Sequence, residues 1–194
     1  AAGMPVSGAF PGGSASNVTL FVDGRSQNLG RSITRGLDFT ASHVLDTEKM
    51  GRFILSASGS YFLGYKTQQA PNAPFVSQLN NIFQPLKFRA RASVSWEKDR
   101  WGILLRATHV GGYTNNAIST PQPVKSYTPL DAVVTFKVGE AANPFTLSLE
   151  MRNMFNIRPP YVNIAPSSNG SGGYDATAAD PIGRLMAVSA RKKF

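Results

Sequence analysis

Cysteine is absent from the 194 residues, so the chain has neither a disulfide framework nor thiolate metal ligands. No stretch approaches the roughly 18 consecutive apolar residues that a transmembrane helix requires, although 42% of the residues are apolar. Acidic residues are few: eleven Asp and Glu face twenty Lys and Arg, a formal net charge of +9. Such an excess raises the question of nucleic acid, but the basic residues are spread along the whole length, with no basic helix, aromatic RNA-binding signature or zinc motif. No nucleic-acid partner is therefore expected. GxSxG, GxxxxGK and GxGxxG are all missing, which leaves an enzyme without a nucleophile elbow or phosphate loop. The first residues, AAGMPVSGAFPGGSASN, show neither the basic nor the apolar region of a signal peptide. Either a signal has been removed or the chain begins inside a longer one.

What is abundant is the vocabulary of strands and turns: 18 glycines, 13 prolines, 10% aromatics and apolar residues spaced two apart. Residues 1–17 read as loop. A first strand is expected between Val18 and Val44, with Leu37, Phe39 and Ala41 on one face and Asp38, Thr40 and Ser42 on the other. After the turn 45–51 comes the clearest alternation, Arg52 to Thr67. There Phe53, Leu55, Ala57, Gly59, Tyr61, Leu63 and Tyr65 are expected to share a face opposite Ser56, Ser58, Ser60 and Lys66. The same pattern recurs over Lys87–Trp96, Trp101–Tyr113, Lys125–Val138, Phe145–Asn156 and Gly183–Phe194, which makes about seven strands.

Two regularities point to a membrane barrel. Short turns follow Val44, Trp96 and Val138, and long loops occupy the alternate positions, as in barrels with short periplasmic turns and long extracellular loops. Charges also keep to one face of each strand. A lipid-facing surface demands this, because Arg or Lys at the bilayer midplane costs about 2–4 kcal/mol. Phe53, Trp96, Trp101 and Phe145 stand beside the short turns, and Tyr61, Tyr65, Tyr113 and Tyr127 toward the long loops, as two interfacial girdles would place them. The fold class expected is all-β, an antiparallel transmembrane β-barrel segment. A soluble β-sandwich is the alternative that the outer faces, free of charge over long strands, disfavour.

The run Asn28-Leu29-Gly30 followed by Arg35-Gly36-Leu37-Asp38-Phe39 resembles one long descending strand of TonB-dependent transporters. The segment 147–161, LSLEMRNMFNIRPPY, is similar to that family's penultimate strand, with Asn153-Met154-Phe155 in place of Asn-Leu-Phe. Gly183-Arg184, alternating residues and a terminal Phe194 resemble its last strand. The resemblance covers Val18 to Phe194 and implies a 22-stranded barrel, of which these would be the last seven strands. It implies residues 1–17 as an extracellular loop remnant, residues 18–194 as barrel strands and loops, and a Gram-negative outer-membrane location. The implied partners are the preceding strands and plug, TonB through the absent N-terminal part, outer-membrane lipid and lipopolysaccharide, and a barrel-assembly machinery that reads Phe194. The implied function is import of a small solute of siderophore, glycan or cobalamin-like type. A standalone or self-associating porin-like barrel is the competing function.

Candidate site residues fall in two sets. Arg89, Arg91, Arg106, Lys137, Arg152, Arg191 and Lys193, offset by Asp38, Asp131 and Glu150, form a net positive lumen wall. It could face polar groups of a plug, since buried charges need partners, or attract an anionic solute. The long loops add Phe75, Asn80, Asn81, Phe83, Asn115 and Asn116, and further on Tyr161, Asn163, Asn169 and Tyr174. Amides and aromatic faces suit a polar, partly apolar ligand, and Asn is equally a turn residue. His43 and His109 lack a convergent set of metal ligands or bases and read as interfacial packing. Asp175 and Asp180 read as a solvated loop with too few oxygens for calcium. No cofactor or metal is expected.

Overall fold

The computed structural model describes residues 30–139, 145–165 and 172–192. Residues 1–17, the start expected for the first strand, most of the turn 139–144, Asn169, Lys193 and Phe194 lie outside the described residues. The strands are β1 (Arg31–Thr47), β2 (Gly51–Gln68), β3 (Val76–Ser77), β4 (Phe88–Lys98), β5 (Trp101–Val110), β6 (Tyr113–Asn115), β7 (Gln122–Val124), β8 (Leu130–Val138), β9 (Phe145–Arg152) and β10 (Leu185–Lys192). There is no helix among the described residues. The long strands pair antiparallel in the order β1-β2-β4-β5-β8-β9-β10, β3 adds a short extension to β2, and β6-β7 form a separate hairpin. The sheet does not close on itself: β1 and β10 are its two edges among the described residues.

The registers align the alternation of every strand with that of its neighbours. Ser58, Arg91 and Thr108 lie side by side, as do Ser56, Ser93, Arg106 and Asp131. On the opposite face Ala57, Ala92 and Ala107 are level, as are Leu55, Val94, Leu105 and Ala132. One face thus collects the apolar residues, and the other collects every Asp and Glu of the strands: Asp38, Asp46, Glu97, Asp131 and Glu150. The polar face carries its own pairs, including Ser60 donating to Asp38 at 2.5 Å and Arg52 beside Asp46 at 3.6 Å.

Rings bound the apolar face above and below. Phe53, Trp96, Trp101 and Phe136 lie at the level of the short turns, with Trp101 and Phe136 at 4.5 Å between centroids. Tyr61, Phe88 and His109 form the other belt, with centroids 6.3 and 5.6 Å apart. His109 also meets Thr128 Oγ1 at 2.8 Å. From Phe53 to Tyr61, Trp96 to Phe88 and Trp101 to His109 the belts are eight residues apart. At about 3.3 Å per residue and a tilt near 40° that is roughly 20 Å of height, close to the ~25 Å apolar band of such barrels.

The short turns are tighter than the sequence suggests. β1 runs to Thr47 and β2 starts at Gly51, leaving a three-residue turn in which Thr47 Oγ1 accepts from Met50 N at 3.1 Å and donates to Gly51 O at 2.7 Å. Gly51 has φ +87, and a Cβ there would lie 2.4 Å from Glu97 O, so only glycine fits. The neighbouring hairpin braces this turn: Trp96 Nε1 donates to Met50 O at 2.7 Å and Lys98 Nζ to Lys49 O at 2.5 Å. Between β4 and β5 the turn is only Asp99-Arg100, with Asp99 at φ 53, a conformation that Asp tolerates better than most residues.

One expected face assignment is overturned. The β1–β2 register shifts between Arg35 and Gly36: Gly36 pairs with Phe62 and Arg35 with Gly64, so Leu63 has no partner. This β-bulge reverses the parity of β2 beyond Leu63. Phe62, opposite Gly36, keeps the polar face that alternation gives it, whereas Tyr65, opposite Thr34, joins that face and Lys66, opposite Ile33, joins the apolar one.

Neither face of the sheet supplies the buried core. That core is Ile82, Leu86, Val110, Tyr113, Val124, Tyr127, Val162, Ala178 and Ala179, drawn almost entirely from the three long loops. Tyr113 and Tyr127 are therefore buried in a loop cap and do not belong to a lipid girdle, contrary to the sequence expectation. Backbone bonds stitch the loops together, with Ile82 N to Thr114 O and Thr114 N to Asn80 O both at 2.9 Å, and Val162 N to Gly173 O at 3.0 Å.

Candidate functional site

The third long loop returns across the polar face before entering β10. Asp175 starts the crossing: its Oδ1 accepts from Thr177 N at 2.9 Å and Thr177 Oγ1 at 2.7 Å, and its carbonyl accepts from Ala178 N and Ala179 N. Small side chains at Ala176, Ala178 and Ala179 let the backbone lie close to the wall. Arg89 Nη2 then donates to Thr177 O at 2.9 Å, Tyr127 Oη to Asp180 O at 3.3 Å, and Arg184 N to Asn156 Oδ1 at 3.0 Å. Residues 176–185 are a flap pinned to the wall at three places.

Beneath the flap lies a cavity of about 620 Å³, walled on the sheet side by Arg91, Arg106, Asp131, Arg152 and Tyr127. Its volume is in the range of ordinary ligand sites, about 300–1,000 Å³. Register explains the convergence, because Arg106 pairs with Asp131 and lies beside Ser93, one step from Arg91. Asp131 is already engaged: its Oδ1 accepts from Asn153 N at 3.0 Å. The guanidiniums of Arg91, Arg106 and Arg152 hold no hydrogen bond or ion pair among the described residues, so the cavity wall on the sheet side is net positive. Lys137 and Glu150 share the polar face nearer the short turns, outside the cavity. A second recess of about 370 Å³ is lined by Phe62, Phe83, Arg89 and Thr177.

Asp175 is 1% exposed, which corrects the expectation of a solvated loop, and its Oδ2 has no hydrogen-bond partner. It stands near Tyr113, whose phenol is pushed above the usual tyrosine range by burial first and by the Asp175 carboxylate second, with Arg89 opposing. The phenol and carboxylate fall short of a full hydrogen bond, so Asp175 acts on Tyr113 chiefly as a charge. Tyr127 is raised likewise, by burial and then by Asp180 and Asp131. Replacing Asp175 with Asn is expected to lower the Tyr113 pKa only part of the way, because burial remains. Ultraviolet titration of the phenols against the Tyr113→Phe background checks this, and an unchanged titration would place the charge elsewhere.

The loop residues singled out from sequence separate into two groups. Asn80 donates to Gly112 O at 3.1 Å and accepts from Lys87 N at 3.0 Å, Asn81 bridges Thr114, and buried Asn115 donates to Asn163 O at 3.0 Å. Their amides and backbones hold the cap together. Phe75, Phe83, Asn116, Tyr161 and Asn163 are exposed on it, and Tyr174 is half-buried. The flap, Tyr127 and Phe62 were not singled out. An Asp-x-Thr turn followed by small residues is the local signal that marks the flap.

Comparison of the sequence with protein families decides what kind of wall this is. Residues 5–154 match the family described as TonB dependent receptor-like, beta-barrel. The chain belongs to that family. TonB-dependent receptors are, as a family, outer-membrane transporters of Gram-negative bacteria and not enzymes, and their barrels work with a plug and with TonB. Barrels of that kind turn an apolar face to lipid and a polar face to their lumen. The match ends at Met154, so the flap and β10 lie beyond it. No curated protein and no solved structure matches the chain.

Proposed function

We propose that this chain forms part of the wall and the outer mouth of a transporter that imports a small solute, of siderophore, glycan or cobalamin-like type, in a TonB-dependent manner. The observation that carries the reading is the cavity under the flap, with three guanidiniums that form no ion pair among the described residues. Arg106 is half-buried, and a cation withdrawn from water calls for a partner. An acidic or polar surface of a plug meets that need in the resting protein, and an anionic group on the solute meets it during passage. Further strands between the free edges of β1 and β10 would close the barrel around both. Residues 1–17 are read as extracellular loop and 18–194 as barrel. Phe194 is read as the assembly signal, on its even spacing from Met186, Val188 and Ala190.

The test is uptake and surface binding by cells carrying Arg91→Ala with Arg106→Ala, each with and without functional TonB. Uptake by the unaltered protein should require TonB, and uptake that persists without TonB would overturn the transport reading. If the guanidiniums meet the solute, surface affinity falls about tenfold or more, at the ~1.5–3 kcal/mol of a charged hydrogen bond. Unchanged affinity with slower uptake assigns them to the plug.

A further inference from the structure

The lipid face has a charge pattern of its own. Its strand residues include no Asp or Glu, and its cations sit only beyond the two ring belts. At the loop end these are Arg31 at the start of β1, Arg35, opposite Gly64, and Lys66, opposite Ile33, all on the outward parity of Leu37 and Tyr61. Lys87 joins them, its Nζ 5.5 Å from the centroid of the Tyr61 ring. Arg35, Lys66 and Lys87 are exposed, and the charged end of none makes a hydrogen bond or ion pair among the described residues. From Gly51 to Trp96 the sequence contains no acidic residue at all.

Position follows from register. Arg35 lies two residues beyond Leu37 and Lys66 one pair further, so along tilted strands they stand roughly 5 and 10 Å above the Tyr61–Phe88–His109 belt. That is the headgroup layer, outside the ~30 Å hydrocarbon core. Arg35 and Lys66 occupy diagonal positions of one strand pair, about 7–8 Å apart at Cα. A Cβ at Gly64, between them, would meet nothing within 4 Å, so the surface there is open. The β2 bulge creates this cluster, since with unbroken alternation Lys66 would face the lumen.

We propose that Arg35, Lys66 and Lys87 form a binding site for the phosphorylated glycolipid of the outer leaflet, with its phosphate among the cations and its acyl chains along Leu37, Phe39 and Tyr61. A phosphate offers the charge and the several acceptor oxygens that a guanidinium and two ammonium groups can share. The aromatic belt fixes the depth at which the headgroup arrives. This inference rests on the apolar face being the lipid face.

The experiment is native mass spectrometry of the detergent-purified full protein titrated with the bisphosphorylated lipid anchor of lipopolysaccharide and, separately, with its dephosphorylated form. The unaltered protein should retain the phosphorylated lipid, and Arg35→Ser, Lys66→Ser and Lys87→Ser together should weaken retention about a hundredfold, at about fivefold per cation. Arg35→Lys, Lys66→Arg and Lys87→Arg together should retain it. Equal retention by the serine variant, or of the dephosphorylated lipid, would overturn the site. Quenching of Trp96 and Trp101 by brominated lipid in bilayers tests the lipid face independently. Absent quenching removes that face assignment, and quenching with unaltered lipid retention removes only the site.

Discussion

Leu105→Arg is expected to destabilise the membrane-embedded protein by about 2–4 kcal/mol, and Arg106→Leu, at the next residue, by under about 1 kcal/mol. Leu105 lies four residues from Trp101 and four from His109, midway between the ring belts on the lipid face. It is 39% exposed on that face, where a guanidinium would have no water and no partner at the bilayer midplane. Arg106 pairs with Asp131 across the strands but makes no ion pair with it, so its removal from the lumenal wall breaks no bond. Denaturant unfolding in bilayers measures both, and heat-modifiability in cells reports assembly. Equal costs, or the reverse order, would mean that the two faces have been assigned the wrong way round.

Val162→Asp is expected to open the loop cap while leaving the barrel wall intact. Val162 is fully buried among Ile82, Leu86, Tyr113, Val124 and Tyr127, and its amide anchors Gly173 O at 3.0 Å. An unpaired carboxylate there costs at least about 3 kcal/mol, more than the few inter-loop hydrogen bonds can offset at about 1 kcal/mol each. The β-ladders do not depend on this packing, because only Val110 links the core cluster to a long strand. Protease added to intact cells should cut the loops at least tenfold faster in the variant, with heat-modifiability of the barrel retained. Tyr161→Asp is the control, since Tyr161 is 67% exposed. Similar cleavage of the two variants would show that the loops do not pack as a unit.

Much of the wall was legible in the sequence. Period-two alternation is a local property, so Phe88-Arg89-Ala90-Arg91 already assigns two residues to an apolar face and two to a polar one. Because the pattern recurs in every long strand, the register that aligns the apolar sets is the one in which no charge enters the bilayer. The order of short and long connections, the ring belts at Phe53, Trp96 and Trp101, and the family resemblance follow from the same local information.

Tertiary structure decided the rest, and for a physical reason in each case. Leu63 suits either face, so nothing local announces that it bulges out of register and sends Tyr65 inward and Lys66 outward. Asp175 reads as a solvent residue because its burial depends on Arg89, Thr177 and Tyr113, the first of which is 86 positions away in sequence. Asn115 presents the same amide whether it awaits a ligand or, as here, ties two loops together by donating to Asn163 O. The sequence by itself determined which face of each strand is apolar, through a period that the backbone imposes on every strand. Where the loops fold, what lies under the flap and which cations meet the membrane surface depend on contacts between distant segments, and only the folded chain decides them.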